Sequence, residues 1–205
     1  MTISHLEGGD TMTVAASKDK YEKILQASME VIAEKGLQKT AVSEIVKRAG
    51  VAQGTFYLYF HSKNALIPAI AENLLSHTLE KIKVRVTEQE DFWSKLQVYI
   101  EETYAITNEH KEVLILCYSG MAFDYSMETW ESVYQPFYIW FESILNQAVE
   151  RNEILTTINI HWTAKMLINT VENAAERFYL GNDQDMDLTA SQHELFQFLY
   201  RSLKF

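Results

Sequence analysis

The chain has 205 residues, a formal net charge of −10, 47% hydrophobic residues, 7 Gly and 2 Pro. That is enough length and apolar content to bury a sizeable core, which excludes wholesale disorder, while the scarcity of Gly and Pro argues against collagen-like chains and turn-rich all-β folds. One cysteine, Cys117, permits no intrachain disulfide and points to a reducing, cytoplasmic setting.

No apolar run approaches the ~18 residues that span a bilayer, and the N-terminus lacks the basic-then-apolar pattern of a secretory signal. The charge is uneven. Residues 17–64 carry 8 Lys and Arg against 5 Asp and Glu, whereas residues 65–205 carry 10 against 21. A small basic unit joined to a larger acidic one reads as two jobs, with chance clustering on a solvated surface as the plainer alternative.

In chain order, residues 1–16 show no period and contain Gly8-Gly9, which reads as a flexible arm; Met12 is a second possible start. From there the chain reads as all-α. Tyr21, Ile24, Leu25, Ser28, Val31 and Ile32 recur at helical spacing and predict a helix from about Ser17 to Lys35, stopped at Gly36. Short helices follow from Thr40 to Ala49 and from Gln53 to Phe60. A longer one starts near Ser62, where the hydroxyl can cap it, and tolerates Pro68 in its first two turns.

Asp91 caps a fifth helix carrying Trp93, Leu96, Ile100 and Tyr104. A shorter one spans about Glu109 to Ser119, and a long one runs from about Ser126 to Asn152 across Pro136. A stripe from Ala164 to Phe178 closed by Gly181, and a last helix with Leu195, Leu199 and Leu203, complete the chain. No strand alternation, internal repeat or low-complexity tract is visible.

Residues 40–63, TAVSEIVKRAGVAQGTFYLYFHSK, place two short helices either side of Gly50-Val51-Ala52, the spacing of a helix-turn-helix. Ile45, Val46 and Ala49 face Val51 and Phe56 across the turn. Gly50 can take the positive φ that a sharp helix exit needs. Gly54 and Thr55 keep the second helix slim enough for a major groove, and Gln53, Thr55, Tyr57 and Tyr59 supply amide and hydroxyl groups for phosphates and base edges. A structural αα-corner is the reading without DNA.

The segment from Ile24 to Ile67 resembles the N-terminal domain of TetR-family transcriptional regulators. It has Ile24-Leu25, Gly36, a Thr-led second helix at Thr40, Ala49-Gly50-Val51, Gly54-Thr55, Tyr57, Tyr59-Phe60, Ser62-Lys63 and Leu66 at that family's spacings. Ser28, Ile32 and Val46 are packing departures from the pattern. The resemblance implies that Thr40 and Ser43 reach the DNA backbone and that Gln53 reads a base, since a glutamine amide pairs bidentately with adenine. It also implies that Thr55, Tyr57 and Lys63 hold phosphates, with Tyr59 and His61 beside them as contacts or mere surface. Lys18, Lys20 and Lys23 are backbone-contact candidates or solvated lysines.

The resemblance further implies that residues 65–205 form a helical ligand-binding and dimerisation domain. This stretch is rich in aromatics; Trp93, Tyr104, Tyr118, Phe123, Trp130, Tyr134 and Phe137 either fill the core or line a cavity for a small apolar or cationic lipophilic effector. Glu101, Glu102 or Glu172 beside such rings would favour a cation. Leu167, Ile168, Val171, Ala175 and Phe178, facing Leu195, Leu199 and Leu203, form the expected homodimer interface, a four-helix bundle about a two-fold axis, unless both stripes serve the monomer core.

No nucleotide-binding glycine motif, HExxH or Glu-x-x-His occurs, and Cys117 sits in an apolar helix, so no enzyme, cofactor or metal site is expected. The reading is a dimeric, ligand-responsive repressor of a palindromic operator. The alternative from another class is an all-helical interaction module without DNA binding.

Overall fold

The computed structural model of the chain describes the backbone of residues 8–124, 127–181 and 186–204, and the side chains of these apart from 8–16, 116–124, 127 and 129. Among them all regular structure is α-helical: α1 (Gly8–Lys35), α2 (Val42–Ala49), α3 (Gln53–Tyr59), α4 (Leu66–Thr87), α5 (Phe92–Asp124), α6 (Met127–Glu150), α7 (Ile160–Leu180) and α8 (Leu188–Leu203). The all-α expectation holds. α1 begins at Gly8, so the expected arm is helical from that residue on; residues 1–7 lie outside the described residues.

The chain divides into two compact units between Ile70 and Ala71, within α4. The expected boundary at 64–65 falls short of the first turn of α4, whose Leu66, Ile67 and Ile70 are buried and belong to the first unit.

In the first unit, α1 buries the face carrying Ile24, Leu25, Ala27, Val31 and Ile32. Ser28 lies on that face and discharges its hydroxyl onto the Ile24 carbonyl at 2.7 Å, which is why a polar residue is tolerated there. Gly36 ends the helix at φ +79, and its N–H closes on the Ile32 carbonyl at 2.7 Å. α2 packs on α1 and α3 on α2. Ion pairs tie the first pair: Arg48 forks onto both carboxylate oxygens of Glu34, and Lys35 meets Glu44.

The second unit is a helical bundle in which α5 and α7 pack most extensively, with α6 and α8 completing the core. α5 starts at Asp91, whose carboxylate accepts from the N–H groups of Trp93 (2.9 Å) and Ser94 (3.1 Å). A second carboxylate, Glu153, accepts from Phe92 N–H at 2.8 Å. The two expected helices between Asp91 and Ser119 are one segment interrupted at His110 (φ −114, ψ 15). Asn152, at φ +55 after α6, supplies a left-handed helix exit, a conformation Asn tolerates better than most residues. Leu155 N–H then bonds the Leu203 carbonyl at 2.8 Å, pinning the end of α8 to the α6–α7 connection.

Leu199 is 3% exposed within this core. Leu199→Ala is expected to cost about 2–5 kcal/mol, the range for a buried Leu truncation, read by denaturant melts of the full chain. A loss under about 1 kcal/mol would mean that α8 is not packed as described.

Candidate nucleic-acid interface and effector cavity

The turn between α2 and α3 is built by backbone chemistry. Gly50 adopts φ +68, ψ +32, and its N–H points back at the Lys47 and Val46 carbonyls. Val51 N–H bonds the Val46 carbonyl at 3.0 Å, closing the exit. α3 then starts at Gln53 and buries Phe56 completely, while Phe60, just past its end, is 3% exposed. Tyr21 of α1 stacks on Phe60 and meets Tyr59 edge-on. The start of α2 is held by Glu44, which accepts from Ala41 N–H at 3.0 Å; Lys35 and that bond together keep the Glu44 carboxyl below the usual range.

The eight residues expected at DNA separate into two groups. Ser43, Gln53, Tyr57 and His61 are exposed and Thr55 is half-buried. Gln53 and Tyr57 lie one helical turn apart on α3. The other three are engaged inside the unit. Thr40 is 3% exposed and donates its hydroxyl to the Gly36 carbonyl at 2.9 Å. Tyr59 donates to the Ser17 carbonyl at 2.9 Å and also meets the Ser17 hydroxyl.

Lys63 donates to three carbonyls, Leu37 at 2.7 Å, Thr40 at 3.0 Å and Gln38 at 3.3 Å. Its ammonium caps the α1–α2 connection, and the Thr40 hydroxyl is likewise engaged inside the unit. Lys18 pairs with Glu22 and Lys23 with Asp19.

Sequence reasoning passed over Lys39 and Lys47. Both are exposed, and neither forms an ion pair among the described residues. The signal was present for Lys47, which stands four residues after Ser43 and so on the same face of α2.

The second unit contains a partly open cavity of about 390 Å³, lined from α4 by Ala71, Leu74, Leu75 and Thr78, from α5 by Thr103, Ile106, Thr107, His110 and Leu114, from α6 by Trp130, Glu131, Tyr134 and Tyr138, and from α7 by Asn169, Glu172, Asn173 and Glu176. Of the expected ligand-binding rings, Trp130 and Tyr134 line it. Trp93 packs instead on Tyr200 (4.5 Å between centroids) under Lys204. Tyr104 is buried and bonds Ser191 through its hydroxyl at 2.9 Å, and Phe137 is core against Tyr99 and Trp140. Tyr118 and Phe123 lie outside the described side chains.

The polar part of the cavity is acidic. Glu172 accepts from the Tyr134 hydroxyl at 3.0 Å, and burial pushes its carboxyl up to about 8 despite that bond. Burial and the neighbouring carboxylates Glu131 and Glu172 push Tyr138 up to about 12. Burial also holds His110 below the usual imidazole range. Lys165 is engaged with Glu131 at 2.5 Å and sits over the Tyr138 ring. Glu101 and Glu102 are elsewhere, bonded to Gln97 and Arg85.

The stripe expected to form the dimer interface is inside a single chain. Leu167, Ile168, Val171 and Ala175 are 0–3% exposed, and Leu195, Leu199 and Leu203 are 3–8% exposed, all in one core cluster against which Phe178 packs. Apolar periodicity marked the buried face of each helix and could not say whose core buries it. Exposed apolar residues on these two helices include Trp162 (61%) and Met166 (57%) on α7 and Leu188 (40%) and Phe198 (60%) on α8.

Two outcomes follow from this geometry. Lys63→Met should lower stability by about 1–3 kcal/mol in denaturant melts, because three carbonyls lose their donor; an unchanged midpoint would contradict the cap. Glu172 has a folded-state value above its unfolded one, so it favours folding fully at low pH and progressively less as pH rises toward 8. Glu172→Gln should therefore raise the melting temperature at pH 9 relative to the parent chain and change it little at pH 5. A pH-independent difference would contradict a neutral buried carboxyl.

Residues 24–70 match the description "Bacterial regulatory proteins, tetR family", and residues 96–203, more than half of the chain, match "Tetracyclin repressor-like, C-terminal domain". The chain is 60% identical over 184 residues to an uncharacterized HTH-type transcriptional regulator, YvdT, of Bacillus subtilis, covering 90% of this chain and 95% of that protein. It is 25% identical to the fatty acid metabolism regulator protein of the same organism, covering 89% and 94%. Among solved structures it is similar to the transcriptional regulator FadR from Bacillus subtilis in complex with stearoyl-CoA, with a TM-score of 0.70, 24% identity and coverage of 87% and 97%, a likeness of fold. The braced helix-turn-helix, the helical second unit and these matches over both establish that the chain belongs to the TetR family of DNA-binding transcriptional regulators.

Proposed function

We propose that the protein is a repressor that binds a palindromic operator as a homodimer and is released when a small lipophilic effector fills the cavity of the second unit. The observation that carries the DNA reading is the outward face of the helix-turn-helix. Ser43, Gln53 and Tyr57 stand exposed there, with Lys39 and Lys47 in no ion pair among the described residues.

Gly54 adds support. A Cβ at that position would meet nothing, and its φ is not positive, so the unit itself does not require glycine there. A helix start that must lie close to another surface does. In this reading Gln53 reads a base edge, Ser43, Thr55 and Tyr57 contact backbone and sugar, and Lys39 and Lys47 neutralise phosphates.

The dimer forms through the exposed faces of α7 and α8. Trp162 and Met166 are one turn apart on α7, and with Phe198 on α8 they supply exposed apolar side chains for such a contact. Two recognition helices then address half-sites ~34–36 Å apart. The effector acts by differential affinity for two states of the dimer. α4 is continuous from Leu66 through the cavity-lining Ala71, Leu74 and Thr78, so an occupant that displaces α4 reaches both units along one helix.

Binding to operator DNA should weaken steeply with salt. Lys47→Ala should flatten the plot of log affinity against log salt by about one unit of slope, while Lys63→Met leaves the slope unchanged. Gln53→Ala should relax discrimination at one base pair by about 1–3 kcal/mol without altering the salt slope. Fluorescence anisotropy over a salt series reads all three; salt-independent binding, or identical behaviour of the Gln53 and Lys47 variants, would contradict the assignment. Phe198→Glu should shift the protein from dimer to monomer in sedimentation with its helical content retained; a persistent dimer would place the interface elsewhere.

A further inference from the structure

We propose that the cavity of the second unit takes an organic cation, with Glu172 as its counter-charge and the Trp130, Tyr134 and Tyr138 rings against its apolar body. This rests on the reading of the cavity as the effector site and narrows it to one chemical class. The described lining residues include three carboxylates, Glu131, Glu172 and Glu176, the first of them paired with Lys165, and no Lys or Arg. Lys165, the nearby ammonium, is committed to Glu131 and the Tyr138 ring. Burial holds His110 below the usual imidazole range, which disfavours its cationic form.

An anionic head group would therefore meet the Glu172 carboxyl and find no unpaired Lys or Arg among the described lining residues. A desolvated cation would gain a carboxylate and the faces of aromatic rings. A volume of about 390 Å³ suits a molecule of drug-like size. Behind the cavity wall, the buried Tyr99 hydroxyl, with Thr103 beside it, lies close enough to Glu172 to feel its charge.

The chemistry at Glu172 is a proton exchange. Without an occupant the buried carboxyl keeps its proton; a cation that pairs with it displaces that proton to solvent, so about one proton leaves per cation bound near neutral pH. The titratable and charged groups facing Glu172 are Tyr99 and His110 from α5, Glu131, Tyr134 and Tyr138 from α6, and Lys165 and Glu176 from α7; the α4 wall contributes Ala71, Leu74, Leu75 and Thr78, none of which titrates.

The test is calorimetric titration of the full-length protein with tetraphenylphosphonium and with tetraphenylborate, ions of the same shape and opposite charge. The phosphonium should bind at least about tenfold more tightly, with a heat that varies with the buffer's ionisation enthalpy as proton release requires. Glu172→Gln, confirmed folded by circular dichroism, should weaken the phosphonium on the order of 30-fold, as loss of one partner of a buried charge pair does, and abolish the buffer dependence. Equal or tighter binding of the borate overturns the proposal, and because it needs no variant it stands whether or not Glu172→Gln folds. So does an unchanged phosphonium affinity in a folded Glu172→Gln protein. If the phosphonium fails but stearoyl-CoA binds and releases DNA, the charge assignment is wrong while the effector reading survives; if no lipophile of any charge binds or alters DNA affinity, the effector reading itself falls.

Discussion

A left-handed residue at position 50 is the constraint on which the DNA-facing geometry depends. Gly50 at φ +68 lets α2 stop and the chain reverse within three residues, so that α3 leaves the turn with Phe56 inward and Gln53 and Tyr57 outward. A side chain at this φ costs on the order of 1–2 kcal/mol even where space is free, as it is here. The remaining contacts hold that geometry still. Lys63 gathers three carbonyls of the α1–α2 connection, Thr40 caps Gly36, Tyr59 is bonded to Ser17, and Arg48 and Lys35 lock α2 to α1. Preorganisation of this kind lets a seven-residue helix act as a reading head without paying for its own ordering.

The second unit divides its polar groups by a different rule. Those at the helix ends are satisfied locally, as with Asp91, Glu153, Asn159 and Asp187. Along α7 the polar groups face the cavity: Glu172 accepts from Tyr134 and Asn173 from Arg177. Asn169, Glu172, Asn173 and Glu176 recur at i, i+3, i+4 and i+7 and make a polar wall beside the apolar stripe of Leu167, Ile168, Val171 and Ala175. Glu172, half-buried at the cavity wall with the Tyr134 hydroxyl as its donor, is placed as a binding group would be.

Much of this was legible in the sequence, for identifiable reasons. The extents of α2, α3, α7 and α8 follow from apolar period and from Gly36, Gly50 and Gly181, because those signals are local, whereas the joining of two expected helices into α5 is not marked by any such signal. The family spacing from Ile24 to Leu66 located the recognition helix for the same reason. What was not legible was anything requiring knowledge of which surface lies opposite. Lys63 looks like an outward cation in sequence, and three backbone carbonyls are invisible there. Trp93, Tyr104 and Phe137 resemble cavity-lining rings as well as Trp130 and Tyr134 do, since aromatic identity carries no direction. The α7 and α8 stripes were apolar enough for an interface, yet the chain buries them itself, and exposed apolar residues on the same helices, among them Trp162, Met166 and Phe198, are scattered singly among polar ones. The polar repeat on α7 was present in the sequence but reads as a solvated face until α4, α5 and α6 are set against it.

The central claim is that two copies of the Gln53–Tyr59 helix read DNA together. Enrichment of bound duplexes from a random pool with the purified full-length protein tests it most directly. A twofold-symmetric consensus with half-sites one helical turn or a whole multiple apart is the predicted result; a pool that shows no enrichment after successive rounds at low salt, or a single asymmetric half-site, would contradict it.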